Sequence, residues 1–491
     1  MKSKVQLLAG NDGTMNMMSR AFEAQSPRLT RRQVPIASRV IGAIGPLLFL
    51  ALIVQAFLRQ GLGSWAVGIA YILYDTALLG FTAWKIWPLR HGDVMPPPSA
   101  RRPTLAVIVA AYNEASVIGA TIDTLAAQSD PPDLILLADD GSDDDSAAVL
   151  HRRYGLDTPP LGELGPPAPG QPRLRWLRLP RGGKARALNE AMIRIDTDLV
   201  LTIDADTLLA DGALAAMRAA FAAEPELVAA TGVLAPICGP HLMGRLFQWF
   251  QSYEYVRNFL SRYAWMRMDS LLLISGAFAA FRRDAVIEVG GFDPDCMVED
   301  YELIHRLHRH AHITRQDWRV RVVGGALAST DAPASPMGFL RQRRRWFGGF
   351  LQTQHWNRDM VGNRRFGWLG AFHLPVKALD TVQPIYGLAA FAILIGFVVT
   401  GRYRIALPIL IVMIAKIVVD LTFHLWSLGL YRRWTGQSKG LGIGPALLAS
   451  FAEPFSFQLL RHAGAIWGWI AFLSGRETWA AQKRTAIPAE R

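Results

Sequence analysis

Cysteine is almost missing from this chain: Cys238 and Cys296 are the two among 491 residues, and their positions show no metal-ligand spacing. That argues against a disulfide framework and for reduced thiols in a cytoplasmic domain. Charge is also scarce, at 19% of residues against 51% hydrophobic. Acidic side chains are the short side of the balance, with 40 Asp and Glu against 52 Lys and Arg and a net charge of +12. No zinc-finger, helix-turn-helix or aromatic RNA-binding pattern accompanies that excess, so nucleic acid is not an expected partner. The Gly-x-Gly-x-x-Gly and Walker phosphate-binding patterns are absent too. The basic residues gather beside apolar runs instead: Arg28, Arg31, Arg32 and Arg39; Arg101 and Arg102; Arg341, Arg343, Arg344 and Arg345. There they suit anionic lipid headgroups and set topology.

The apolar residues themselves are concentrated. Residues 1–38 are polar, basic and rich in Met, Ser and Gln, and read as a disordered cytoplasmic arm. The first apolar run begins too late for a secretory signal. Val40 to Leu58 is free of charge, and about 20 such residues cross a bilayer. A second run extends to Trp84, broken only by Asp75, so residues 39–87 read as two transmembrane helices. Basic flanks on both sides place both ends in the cytoplasm. Pro96-Pro97-Pro98 reads as a linker. Beyond the middle of the chain, residues 338–378 are basic and aromatic and read as an amphipathic interfacial segment. Residues 379–475 hold about three transmembrane or interfacial helices. Leu441–Leu473, which contains Glu453, Arg461 and His462, is either an interfacial helix plus a span or a re-entrant hairpin. Residues 476–491 form a basic tail, whose side depends on that choice.

Residues 101–337 differ in kind. Leu105–Val109 and Leu134–Ala138 are continuous apolar runs, as strands buried on both faces must be. Helical stretches follow at Glu114–Ala127 and after Gly183, with further strands at Arg175–Leu179 and Leu199–Ile203. Such alternation predicts an open α/β sheet with ligands at the carboxyl ends of its strands. Polar motifs stand at those ends: Asp139-Asp140-Gly141-Ser142 and Asp204-Ala205-Asp206. Two carboxylates at a strand end project into the cleft, where they suit Mg²⁺ or Mn²⁺ while leaving ligand positions for phosphate oxygens. Val298-Glu299-Asp300 precedes a helix, and Gln342-x-x-Arg345-Trp346 lies in the basic stretch. His305, His308, His310 and His312 have no helper carboxylates around them and read as part of a basic helix. Phe247 to Tyr255 reads as an aromatic helix face packed on the domain or the membrane.

These motifs, in this order, resemble the processive family 2 glycosyltransferases of the membrane polysaccharide synthase type. The series is Tyr112-Asn113-Glu114, Asp-Asp-Gly-Ser, Gly183-Lys184-Ala185-x-Ala187-Leu188-Asn189, Asp-x-Asp, Ser275-Gly276-Ala277-Phe278, Gly290-Gly291-Phe292, Glu-Asp, and Gln-x-x-Arg-Trp. The resemblance implies a GT-A-like α/β domain, open and mostly parallel, inserted between transmembrane helices of a multi-pass plasma-membrane protein. It implies a nucleotide-sugar donor whose uridine end meets Tyr112, Glu114 and Asp140 and whose diphosphate meets Lys184, Gln342 and Arg345. It implies Asp204 and Asp206 as metal-holding residues, Asp206 the more direct, with Asp204 also on the donor side. Asp300 becomes the base that deprotonates the acceptor, and Trp346 the platform under the acceptor sugar. Where the family pattern has Thr-Glu-Asp, this chain has Val298-Glu299-Asp300.

The resemblance implies a growing β-linked polysaccharide as acceptor, extended processively and moved across the membrane. It leaves room for an accessory export subunit. A glycolipid synthase adding one sugar to a lipid such as diacylglycerol is the alternative, because such enzymes share the Gln-x-Arg-Arg-Trp form. A sugar-nucleotide sensor is the third reading, and the complete set of catalytic groups speaks against it.

Overall fold

The computed structural model describes residues 6–7, 12–30, 32–59, 61–92, 102–437 and 442–475. The Pro96-Pro97-Pro98 linker, Arg31, Arg101 and the basic tail lie outside these residues.

The expectation of a disordered arm fails for much of it. Asp12–Gln25 forms helix α1, and the chain after it is anchored to the catalytic domain. Composition misleads here because a few contacts suffice. Met18 is buried, and Arg28 makes ion pairs with Asp293 and Asp295. Two apolar helices follow, α2 (Ile36–Leu58) and α3 (Ala66–Ile86). On α2, Leu47, Leu50 and Phe57 point outward from the protein, as on a helix that crosses a bilayer.

The catalytic region opens with β1 (Leu105–Ala111), α4 (Ile118–Ala126), β2 (Leu134–Asp139), α5 (Ser146–Tyr154) and β3 (Leu174–Arg178). It continues through α6 (Lys184–Met192), β4 (Leu199–Asp204), β5 (Thr207–Leu209), α7 (Ala213–Ala223), β6 (Leu227–Ile237) and α8 (Leu242–Met266). It closes with β7 (Phe278–Arg282), α9 (Arg283–Glu288), α10 (Glu299–Thr314) and β8 (Arg319–Asp331). One eight-stranded sheet has the order β3-β2-β1-β4-β7-β6-β8-β5. The β3-β2-β1-β4 half is parallel, as the continuous apolar runs require. In the other half β6 and β8 also pair in parallel, so the mostly parallel expectation holds for four of the seven pairings. β7 lies antiparallel to both β4 and β6, and β5 lies antiparallel to β8. The sheet is therefore mixed. The reversal comes from Phe278–Arg282, which the sequence presents as the end of a motif rather than as a strand.

After the domain, α11 (Pro336–Trp356) starts under a Ser335 cap, whose hydroxyl accepts from the Gly338 amide at 3.2 Å. The interfacial segment is more enclosed than expected, since Phe339, Arg343, Gly348 and Leu351 are all buried. Then come α12 (Leu374–Val399) and α13 (Tyr403–Thr435). With α2 and α3 they make four helical stretches long and apolar enough to cross a membrane among the described residues. The ambiguous stretch is a pair of shorter helices, α14 (Ile443–Ala452) and α15 (Phe457–Leu473), broken by a tight turn at Glu453–Phe455. Helix α15 lies against α11 at glycines: a side chain at Gly468 would run into Gly348 N at 2.9 Å.

Candidate active site

The carboxyl ends of β1, β2 and β4 form one rim, and the acidic motifs stand on it. Asp140 follows β2 and is almost fully buried. Its carboxylate accepts from the amides of Gly182 (2.8 Å) and Gly183 (2.9 Å) and pairs with the Arg181 guanidinium. That guanidinium also lies 3.4 Å above the centre of the Tyr112 ring. Tyr112, Asp140 and Arg181 thus form one group. Gly183, at φ 94°, turns the chain so that α6 begins with Lys184 facing the rim. Glu114 is buried. Arg181 was not anticipated from the sequence; its signal was only a basic residue before Gly-Gly-Lys.

Lys184 gathers the second group. Its ammonium is 2.5 Å from Asp204 Oδ1 and 3.5 Å from Glu299 Oε1. Burial works against that charge, but Asp204 and then Glu299 outweigh it and hold the Lys184 pKa above its ordinary value. Asp300 heads α10. Its carboxylate accepts from the Gly276 amide at 2.6 Å and from its own following amide, Tyr301 N, at 2.8 Å. A side chain on Gly276 would press on the Asp300 carboxylate, meeting Oδ2 at 2.9 Å. Burial first, and then the neighbouring Glu299 charge, push the Asp300 carboxyl up to about 6, against the opposing pull of Lys184 and the two amides.

Asp206 sits one residue beyond the rim and is buried, with Thr207 Oγ1 and Thr330 Oγ1 each 3.5 Å from its Oδ1. Asp204 and Asp206 offer only oxygen donors, the set that hard divalent cations take. No group of three or more His, Cys, Asp or Glu arranged for a metal occurs among the described residues. Two protein carboxylates fit an ion that takes its other ligands from a diphosphate. The histidines are packing residues. Burial pushes His305 down to about 3 and His308 to about 4, and each ring meets a backbone carbonyl at 2.8 Å, Tyr301 O and Leu271 O.

Gln342, Arg345 and Trp346 share α11. The Gln342 amide oxygen is buried and has no hydrogen-bond partner among the described residues. Trp346 lies under the Arg343 guanidinium at 4.4 Å. Arg343 itself is buried and bonds Glu254 of α8 at 2.7 Å, a pair that the sequence did not reveal. Arg262, also on α8, has a guanidinium whose Nε and Nη1 are buried without partners, and burial pushes its pKa down to about 10.

A family model described as "Glycosyltransferase like family 2" matches residues 103–349, half of the chain. The chain belongs to the family 2-like glycosyltransferases. It is a membrane glycosyltransferase with a GT-A-like fold, flanked on both sides by apolar helices. Among curated proteins it is similar to the poly-β-1,6-N-acetyl-D-glucosamine synthases of Staphylococcus aureus (29% identical over 168 residues) and Staphylococcus epidermidis (30% over 169 residues). Each alignment covers 34% of this chain and 38% of the relative, so the match spans well under half of the relatives' length. Among solved structures, the mannosyltransferase PcManGT from Pyrobaculum calidifontis, in complex with GDP-Man and Mn²⁺, aligns with a TM-score of 0.50. It is 22% identical and covers 80% of this chain and 99% of its own. At that identity the likeness establishes the fold.

Proposed function

We propose that this glycosyltransferase moves a sugar, with inversion, from a UDP-sugar to the growing end of a β-linked polysaccharide. It acts processively and passes the product across the membrane. The observation that carries the proposal is Asp300: a carboxyl with a raised pKa, held by two amides at a helix start, beside a lysine that bridges Asp204 and Glu299. A base needs a fixed lone pair and a pKa near working pH.

In the proposed reaction an acceptor hydroxyl oxygen forms a bond to the anomeric carbon. The bond from that carbon to the donor's diphosphate breaks, and its electron pair leaves on phosphate. The hydroxyl proton passes to an Asp300 oxygen. Tyr112, Glu114 and Asp140 hold the uridine end, with Arg181 displaced from the Tyr112 face to admit a base. Lys184, Gln342 and Arg345 neutralise the diphosphate, and Trp346 supports the acceptor sugar. Mg²⁺ or Mn²⁺, held by Asp206 with Asp204, would supply further neutralisation of the leaving group. Basic residues at the ends of α2 and α3 support a cytoplasmic catalytic domain. Similarity to the staphylococcal synthases supports a polysaccharide product.

The test incubates membranes carrying the full chain with labelled UDP-sugars and sizes the product. Polymer is expected. A single-sugar lipid replaces this reading with the glycolipid one, and no turnover with any UDP-sugar overturns the donor.

A further inference from the structure

The loop from Gly290 to Val298 leads directly into Glu299 and Asp300, and it is clamped from several sides. Asn189 exchanges two hydrogen bonds with Phe292, each 2.8 Å. Arg306 donates to Val289 O at 2.6 Å and Gly291 O at 2.5 Å while bonded to the buried Glu302. Gln352 of α11 accepts from Met297 N at 3.1 Å.

The remaining clamp comes from the N-terminal arm, far outside the family match. Gly290 and Gly291 have φ of 92° and 73°. A side chain on Gly290 would meet Phe22 N at 2.3 Å, and one on Gly291 would meet Met18 Sδ at 3.0 Å. The arm therefore lies on the bare backbone of this loop. The Phe22 ring covers the Arg306 guanidinium at 5.1 Å. Arg28 grips Asp293, whose side chain is wholly buried, through Nε and Nη2 at 3.2 Å each, and reaches Asp295 at 2.9 Å. Gln25 Nε2 donates to Glu288 O at 2.7 Å.

We infer that residues 18–28 are a positioning strap for the acceptor-deprotonating residue: Met18, Phe22 and Arg28 fix the loop that sets where Asp300 stands. The inference rests on the proposed role of Asp300. Removing Arg28 leaves a buried anion without its cation, so the loop must move to hydrate Asp293. The loop's displacement is felt at the start of α10, not at the uridine end of the cleft.

The experiment uses the full chain in membranes, with the UDP-sugar that the panel finds active. Arg28→Ala is expected to lower kcat at least fivefold, leave the donor KM and UDP affinity within twofold, and move the acidic limb of the pH–rate profile. Arg28→Lys should restore most of kcat. Unchanged kcat, or equal losses in kcat and UDP affinity matching a loss of folded protein, would overturn the strap. Should Arg28→Ala not accumulate, Phe22→Leu takes its place, with a smaller kcat loss expected and the same reversal if none is seen. Asp300→Asn is run alongside. If that variant retains turnover, the base assignment has failed; if it is dead while Arg28→Ala is unaffected, only the strap has.

Discussion

Two of the charge clusters among the described residues are built on opposite rules. At the rim, Asp204, Glu299 and Asp300 gather around the single ammonium of Lys184. Where α8, α11 and α15 meet, every carboxylate is bracketed by two guanidiniums. Glu254 lies between Arg343 and Arg461, and Glu453 lies between Arg257 and Arg461. The second cluster satisfies itself and holds helices together. The first is short of positive charge and remains partly open to solvent, so it suits an arriving cation and a proton in transit. Acidity left uncompensated in a cleft marks chemistry; acidity closed off by arginine marks architecture.

The largest expected effect separates the clusters outright. Asp300→Asn should reduce transfer by roughly 10²–10⁴-fold, the usual weight of a general base, while UDP binding stays near wild type by equilibrium titration. Retention of substantial turnover would return Asp300 to the architectural class. Next, EDTA should remove activity and added Mg²⁺ or Mn²⁺ restore it, with Asp206→Ala weakening UDP binding only when metal is present. Full activity in EDTA would make the rim's acidity unrelated to a metal. Glu254→Ala should do the reverse of Asp300→Asn. It strands a buried Arg343 and should cost about 3–5 kcal/mol of stability, seen as a lower unfolding midpoint in detergent.

The rim's legibility in the sequence was high, because its residues are locally declared. Apolar runs ending in acidic pairs announce strands and strand ends, and β1, β2 and β4 stand where Leu105, Leu134 and Leu199 began those runs. The architectural cluster was not legible. Glu254, Arg343 and Glu453 are far apart in the chain, and no period or spacing links one helix's glutamate to another's arginine. The arm escaped for a similar reason: scattered contacts in a polar stretch leave no pattern. Antiparallel β7 escaped because Phe278–Arg282 is short and begins inside a motif.

A gentler test titrates the rim. Asp300 must be deprotonated to accept a proton, and its pKa is raised to about 6. The rate should therefore be full above that value and fall as pH drops through it, without a matching loss of folded protein. A profile flat down to pH 5 would mean that another group is the base. The smallest effect concerns the polar stripe of α13. Lys416 is 2.6 Å from Asp75 of α3 and also pairs with Asp420, while His424 is buried against Tyr253 of α8. Exchanging Lys416 and Asp420 sets two carboxylates together, at 75 and 416. The exchange alone should lower stability slightly, and adding Asp75→Asn should recover it. Unchanged stability on the exchange alone would mean that Asp75 contributes nothing.

The glycine seam between α11 and α15 bears on how the protein is made. Ribosomal synthesis delivers the rim, the arm and α11 well before Phe457–Leu473 emerges. Until then the face of α11 at Gly348, four residues after Arg344, has no helix to meet. A nascent chain halted before residue 457 should carry a folded nucleotide-binding half and an unfinished wall, binding UDP without transferring sugar. Activity would then switch on only when α15 is in place, a checkpoint that keeps half-inserted copies from consuming donor.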